Sequence, residues 1–370
     1  MSHALFFVLS VAILQPPVRY PVTASQVVLL HDLDGDGRAE IITSGNHVDQ
    51  LPAFSILPNR GDGSFAAEQS LAGGFGEKLE DAGDLNGDGI PDLLASNYWS
   101  NGISIYRGKG SLQFDDRAFY ETATHGGPSR IADDDRDGIP DVVSLSFGSG
   151  NPVRVHLFRG RDDGTLASKS TFDTALANGA SLSLRSVNGV LELLVADHSG
   201  HLGLIRFVNG GLSVTTLPAG PGFDLACVFA DVNGDGRADI IDTNDNDSTR
   251  ETVFVTLANA AGGFLERKEI GQPRHMLFPV NVRAGDLDGD GHVDLVASDF
   301  RATDLYYFRG DGTGNFNEGV PIDAGGAVND FELGDVNGDG RLDVVTANDD
   351  HTVSVLINRG ATPRRRRAVV

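Results

Sequence analysis

A nine-residue acidic pattern occurs six times in this chain and constrains its fold more than any other feature. In its fullest form, over residues 286–294, it reads D-L-D-G-D-G-H-V-D and runs directly into an apolar segment. Successive copies begin 49 to 55 residues apart, except for one gap of 98 residues. A period near fifty residues that carries only strand and turn signals is typical of a radial β-repeat. The sequence therefore predicts an all-β chain of seven repeats, one of which has lost its loop.

The residue types in the pattern predict a metal site in each loop. Carboxylates or amides occupy positions one, three and five, which converge on one point in a tight turn, and a carboxylate at position nine closes the site. Gly291, at position six, supplies the positive φ that the bend needs. Carboxylates this close repel one another unless a hard cation lies among them, and a flexible set of oxygen ligands favours Ca²⁺ over Mg²⁺ or a transition metal. We expect about six bound Ca²⁺ ions.

An EF-hand loop begins with the same spacing of acidic residues and is the alternative interpretation. An EF-hand requires flanking amphipathic helices and a glutamate at the twelfth loop position. The twelfth residue here is Ala297, and the segments on both sides of the loop have strand character. The loop is therefore predicted to join two β-strands.

The loops, their period and the glycine-rich turns at residues 61–65 and 312–316 resemble those of FG-GAP and VCBS repeat proteins, whose seven-bladed propeller also forms the head of integrin α chains. The words FG and GAP do not occur together, so the resemblance is nearer to the bacterial VCBS type. It covers almost the whole chain and implies Ca²⁺ bound by side chains at positions one, three, five and nine and by the carbonyl at position seven. The ligands implied are Asp32, Asp34, Asp36, Arg38, Glu40, Asp84, Asn86, Asp88, Ile90, Asp92, Asp133, Asp135, Asp137, Ile139, Asp141, Asp231, Asn233, Asp235, Arg237, Asp239, Asp286, Asp288, Asp290, His292, Asp294, Asp335, Asn337, Asp339, Arg341 and Asp343.

Two repeats depart from this pattern. In the third, Arg136 replaces the glycine that stands at position four of the other five loops. In the fourth, Arg185 and Val187 stand where the first two ligands belong, so we expect this repeat to bind no metal.

The expected fold is a seven-bladed β-propeller of four-stranded antiparallel blades over residues 15–360. The last repeat ends after its third strand, whereas residues 17–23 precede the first loop without a repeat of their own. Pairing these two segments would close the ring and remove both exposed sheet edges. Residues 361–370, with four consecutive arginines, are predicted to form a disordered basic tail.

Composition limits the location and the partners. The formal charge of −23 disfavours nucleic acid and anionic membranes. The apolar run within residues 1–14 is too short to span a membrane and is typical of a signal-peptide core, although no lysine or arginine precedes it. Cys227 is the only cysteine, which excludes an intramolecular disulfide. We expect a monomer, secreted or periplasmic, where millimolar calcium would fill weak sites.

The strand order of such a blade places the acidic loops and the glycine-rich turns on one face of the ring. The opposite face is predicted to carry Tyr98, Trp99, Phe300 and Arg301, a composition suited to stacking on a glycan or anchoring a protein. An alternative is a polysaccharide lyase or another sugar-processing enzyme on the same scaffold. The chain has no G-x-S-x-G or H-E-x-x-H motif, so a binding or adhesion module is the preferred interpretation.

Overall fold

The computed structural model is a seven-bladed β-propeller in which every blade is a four-stranded antiparallel sheet. This confirms the predicted fold class and the number of repeats. The structure describes residues 13–45, 54–74, 76–122, 124–148, 152–177, 179–197, 201–208, 211–217, 223–245, 252–270, 279–299 and 302–360.

The strands follow one another in chain order within each blade. Blade 1 comprises β2 (Val27–His31), β3 (Glu40–Ser44), β4 (Phe54–Leu57) and β5 (Gln69–Leu71). Blade 2 comprises β6 (Glu77–Gly83), β7 (Asp92–Asn97), β8 (Gly102–Tyr106) and β9 (Ala118–Glu121). Blade 3 comprises β10 (Gly126–Ala132), β11 (Asp141–Ser146), β12 (Pro152–Phe158) and β13 (Ser170–Ala177). Blades 4 and 5 comprise β14 (Gly179–Val187), β15 (Val190–Asp197), β16 (Leu202–Val208) and β17 (Gly211–Leu217); and β18 (Phe223–Ala230), β19 (Asp239–Asp245), β20 (Thr252–Thr256) and β21 (Lys268–Glu269). Blades 6 and 7 comprise β22 (Pro279–Gly285), β23 (Asp294–Asp299), β24 (Asp304–Phe308) and β25 (Val320–Asp323); and β26 (Val328–Gly334), β27 (Asp343–Asn348) and β28 (Thr352–Leu356) with β1 (Val18–Pro21).

The hydrophobic core lies between the blades. Second strands such as β7 and β23 are buried along their whole length, because a neighbouring blade covers each of their faces. The outer strand β9 instead alternates between exposed and half-buried residues. One cluster joins blades 5 and 6 through Ile241, Val253, Val255, Val282, Leu295, Tyr306 and Phe308. Packing between blades therefore fixes the ring.

Strand β1 closes the ring, as the sequence predicts. It pairs antiparallel with β28, with Val18 opposite Val355 and Tyr20 opposite Val353. The contact continues upstream, where Leu14 bridges Asn358 and Ile13 lies in the core with only 4% of its surface exposed. The last two residues of the apolar run at residues 1–14 thus pack on the propeller. The rest of that run and the tail at 361–370 lie outside the described residues.

A central channel of about 630 Å³ runs between the seven first strands. Ion pairs across its wall link neighbouring blades: Arg130 with Glu80 at 3.5 Å, and Arg283 with Glu332 at 3.0 Å. In the part of the chain that is described, no helix is long and apolar enough to cross a membrane.

Candidate metal centres and an aromatic surface

Each acidic loop joins the first and second strands of its blade and is organised by the carboxylate at position one. In blade 2, Asp84 Oδ1 accepts the backbone N–H of Gly87 at 2.7 Å, and its Oδ2 accepts that of Gly89 at 2.7 Å. Both glycines have a positive φ, 74° and 82°, which turns their N–H groups toward this carboxylate. Asp286 of blade 6 makes the equivalent bonds at 2.8 Å each. The loop conformation is therefore set locally by its own sequence.

The side chains at positions three and five also accept hydrogen bonds from backbone N–H groups of their own loop. In blade 2, Asn86 Oδ1 accepts the N–H of Asp88 at 3.0 Å, and Asp88 Oδ1 accepts the N–H of Ile90 at 2.8 Å. Oxygens from three side chains converge to within 4.8 Å of one another in three loops. These groups are Asp32, Asp34 and Asp36; Asp133, Asp135 and Asp141; and Asp286, Asp288 and Asp290.

The carboxylate at position nine ties the loop to the third strand. Asp92 accepts the N–H of Leu85 at 3.0 Å through Oδ2 and that of Gly108 at 2.8 Å through Oδ1. The same pair of bonds recurs at Asp294 and Asp343. Burial raises the pKa of both Asp294 and Asp343 to about 6, against the opposing effect of these backbone donors. The sequence predicted a metal ligand at this position; in the structure its carboxylate bridges the loop to the third strand.

The loop of blade 3 keeps its shape although Arg136 replaces a glycine. Arg136 itself adopts a φ of 62°, and its N–H still bonds Asp133 Oδ1 at 2.6 Å. Its guanidinium donates to the carbonyl of Asn188 in blade 4 at 3.3 Å. The residue with the strained backbone, Arg136, thus also links blade 3 to blade 4.

Blade 4 replaces the acidic loop with a two-residue turn. Asn188 and Gly189 have φ values of 49° and 72°, the combination that favours a tight hairpin. Behind the turn, Arg185 pairs with Glu192 at 2.6 Å, and its guanidinium lies 4.2 Å from the ring centre of Phe229. Arg185, which is paired with Glu192, therefore stands at the position that aligns with the first ligand of the other loops. The absence of metal from blade 4 stays a prediction.

On the opposite face, Tyr98 and Trp99 occupy the turn between β7 and β8. Tyr98 stacks on His125 with ring centres 4.0 Å apart and planes 8° from parallel, and His125 Nδ1 lies 2.9 Å from the Tyr98 carbonyl. Trp99 meets the edge of Tyr98 at 5.0 Å and is 51% exposed, while Phe147 lies 6.3 Å from Tyr98. We call these four residues the aromatic surface.

Sequence reasoning found only part of the aromatic surface. It missed His125, in the connection from blade 2 to blade 3, and Phe147, in the turn after β11. The available signal was their position in loops that open on the same face of adjacent blades. Phe300 and Arg301, predicted for the same face, lie outside the described residues.

A family model described as an FG-GAP-like repeat matches residues 84–144 and 286–346. Each match begins at an acidic loop and ends in the second strand of the next blade, so it coincides with the geometry described above. These two matches and the seven-bladed fold support a propeller of FG-GAP-like repeats. The nearer resemblance of these FG-GAP-like repeats to the VCBS type stays a prediction.

No curated protein matches the sequence. Among solved structures, this FG-GAP-like propeller is similar to a crystal structure of BBS1N in complex with ARL6DN, soaked with lead. The two have a TM-score of 0.65 and 13% sequence identity, over 95% of this chain and 98% of that chain. At this identity the likeness shows the fold alone.

Proposed function

We propose that this FG-GAP-like propeller is a calcium-stabilised module, located outside the cell or in the periplasm, that binds a glycan through its aromatic surface. Propellers of these repeats are in general ligand-binding modules and are typical of extracellular proteins. The observation that carries the proposal is the exposed Trp99 beside the stacked pair of Tyr98 and His125.

The acidic loops fit calcium by the chemistry of their donors. Every side chain at positions one, three, five and nine offers oxygen, and Ca²⁺ prefers oxygen ligands in a flexible arrangement. The side chains of the six loops would hold the ion together with the carbonyl at position seven. A bound ion would neutralise carboxylates that otherwise repel one another, and would cross-link the turn.

The ring types of the aromatic surface suit a sugar. Trp and Tyr rings present a flat apolar face with a polar edge, which suits the face of a pyranose. A standard protein interface covers about 800 Å² on each partner. Of the four rings only Trp99 is exposed, and the other three are half-buried, so a small ligand such as a glycan is preferred over a protein.

A glycan array probed with the wild-type protein and two variants tests this proposal. Trp99→Ala should abolish binding, whereas Phe119→Ala should not, because Phe119 is a comparably exposed aromatic residue on the outer strand β9. Loss of binding in both variants, or an array with no hits, would contradict the proposal. A lyase assay on acidic polysaccharides, run in parallel, distinguishes the enzymatic alternative, since product release would show that the surface turns over its ligand.

A further inference from the structure

The six acidic loops differ in how arginine contacts their carboxylates. In blade 6, Arg309 directly follows the third strand β24 and pairs with both Asp288 and Asp290, at 2.5 Å each. In blade 3, Arg159 directly follows β12 and pairs with Asp135 at 3.3 Å. Its other partners are Asp134 at 2.7 Å and Asp141 at 2.5 Å. In these two blades one arginine spans two of the residues expected to bind the ion.

In blades 1, 5 and 7 the arginine contact is smaller. The arginine at position seven of the loop reaches only the carboxylate at position five. These pairs are Arg38 with Asp36 at 3.4 Å, Arg237 with Asp235, and Arg341 with Asp339. Each of these guanidinium groups covers one expected ligand instead of two, so it competes with an ion for fewer oxygens. Arg341 also donates through Nε to the Asn358 carbonyl at 3.0 Å.

The loop of blade 2 has no arginine partner. Its position seven is Ile90, and no ion pair within 4.0 Å joins a lysine or arginine to its carboxylates among the described residues. Arg107 follows β8 and corresponds to Arg159 and Arg309, but its guanidinium lies beside Gly164 in the turn of blade 3, with Nη2 3.4 Å from the place that a Cβ on Gly164 would occupy. Asp88 Oδ2 accepts instead from the amide of Asn86 at 3.0 Å.

We infer that the six sites are graded in cation affinity, with the loop of blade 2 filled first and the loops of blades 3 and 6 filled last. A guanidinium on two ligand carboxylates competes with the ion for the same oxygens and repels its charge. At these distances in a half-exposed site, one such arginine should weaken Ca²⁺ binding on the order of tenfold. The inference rests on the calcium binding proposed above and adds the residues that set its order.

The same arginines should hold their loops together when no ion is bound. Arg309 comes from the end of the third strand, so its pairs with Asp288 and Asp290 link that strand to the loop. Removing it should raise the calcium affinity of blade 6 and lower the melting temperature in a chelator. Removing a residue that served only the fold would lower the melting temperature in a chelator and leave the calcium affinity of blade 6 unaltered.

Isothermal titration with Ca²⁺ on the full chain tests the order. Arg309→Gln and Arg159→Gln should each strengthen one of the weakest sites about tenfold, and Arg107→Gln is the matched control that should change none. Asp88→Asn should remove the tightest phase, whereas Asp290→Asn should remove one of the weakest. If Arg309→Gln does not fold, Arg309→Lys is the second variant, and it should strengthen the site less because it keeps the charge.

The outcomes separate the two proposals. A wild-type protein that binds no calcium would overturn the proposed function and this inference together. Six ions of equal affinity, with Arg309→Gln and Arg107→Gln indistinguishable, would overturn the inference and leave calcium binding intact. Loss of the tightest phase in Asp290→Asn in place of Asp88→Asn would also overturn the order.

Discussion

Replacing Asp294 by alanine separates the structural role of loop position nine from metal binding. Four donors converge on this carboxylate: the N–H groups of Leu287 at 3.0 Å, Asp288 at 3.4 Å and Gly310 at 2.8 Å, and the Tyr307 hydroxyl at 2.9 Å. A buried donor left without an acceptor costs about 1–3 kcal/mol. Two to three such groups predict a loss of about 2–9 kcal/mol in the free energy of unfolding, even without calcium.

Urea unfolding in excess EGTA measures this loss. Asp290→Ala is the matched control, because Asp290 lies in the same loop but is partly exposed and pairs with the half-exposed Arg309. With calcium removed, Asp294→Ala should be several kcal/mol less stable than Asp290→Ala. Equal midpoints in EGTA would show that position nine acts only through the ion and would refute the reasoning.

Three further predictions follow from the structure. Millimolar Ca²⁺ should raise the melting temperature relative to EGTA, since six sites at tenfold saturation contribute about 8 kcal/mol together, and native mass spectrometry should show one ion fewer for Asp235→Ala but no change for Glu192→Gln; equal melting in both buffers would contradict this. Burial lowers the pKa of His156 to about 4 from its ordinary value of 6.5, so unfolding takes up a proton at this residue below pH 6.5, and its contribution to the free energy of unfolding should fall by about 3 kcal/mol between pH 6.5 and 4; Asp294 and Asp343, whose pKa is raised to about 6, act in the opposite direction, so the test is the stability difference between the wild type and His156→Gln, and a difference that stays constant with pH would exclude the histidine. Deleting residues 1–24 should expose β28 as a sheet edge and produce oligomers in size-exclusion chromatography, whereas deleting residues 1–12 should leave a monomer; a monomer in both cases would mean that β1 is dispensable.

The fold could be predicted because its determinants repeat along the chain. Each loop is held by hydrogen bonds between residues two to five positions apart, such as those that Asp84 accepts from Gly87 and Gly89. Hydrogen bonds between residues this close in the chain can be predicted from the local sequence. The spacing of the copies then gave seven blades, and the missing fourth strand of the last repeat gave the closure by β1.

The same reasoning failed where a residue depends on a neighbouring blade or on a distant strand. His125 stacks on Tyr98, and Phe147 approaches it from the next blade, but no periodicity links these positions. The partners of Glu192 were likewise not predicted from the sequence: the structure pairs it with Arg185 and Arg206. Side-chain direction at a blade interface depends on packing that no single repeat contains.

The sequence by itself determined the ring, its acidic loops and the strand that closes it, because all three depend on local turns and on counting repeats. Only the tertiary structure decided which loops are contacted by the arginine that follows the third strand. Arg107, Arg159 and Arg309 follow third strands in the same way, yet only the last two turn toward their own loop. Arg309 and Asp288 lie 21 residues apart in the chain and meet because β22, β23 and β24 pair in register. The direction of a flexible side chain is set by the charges that the assembled blades place around it.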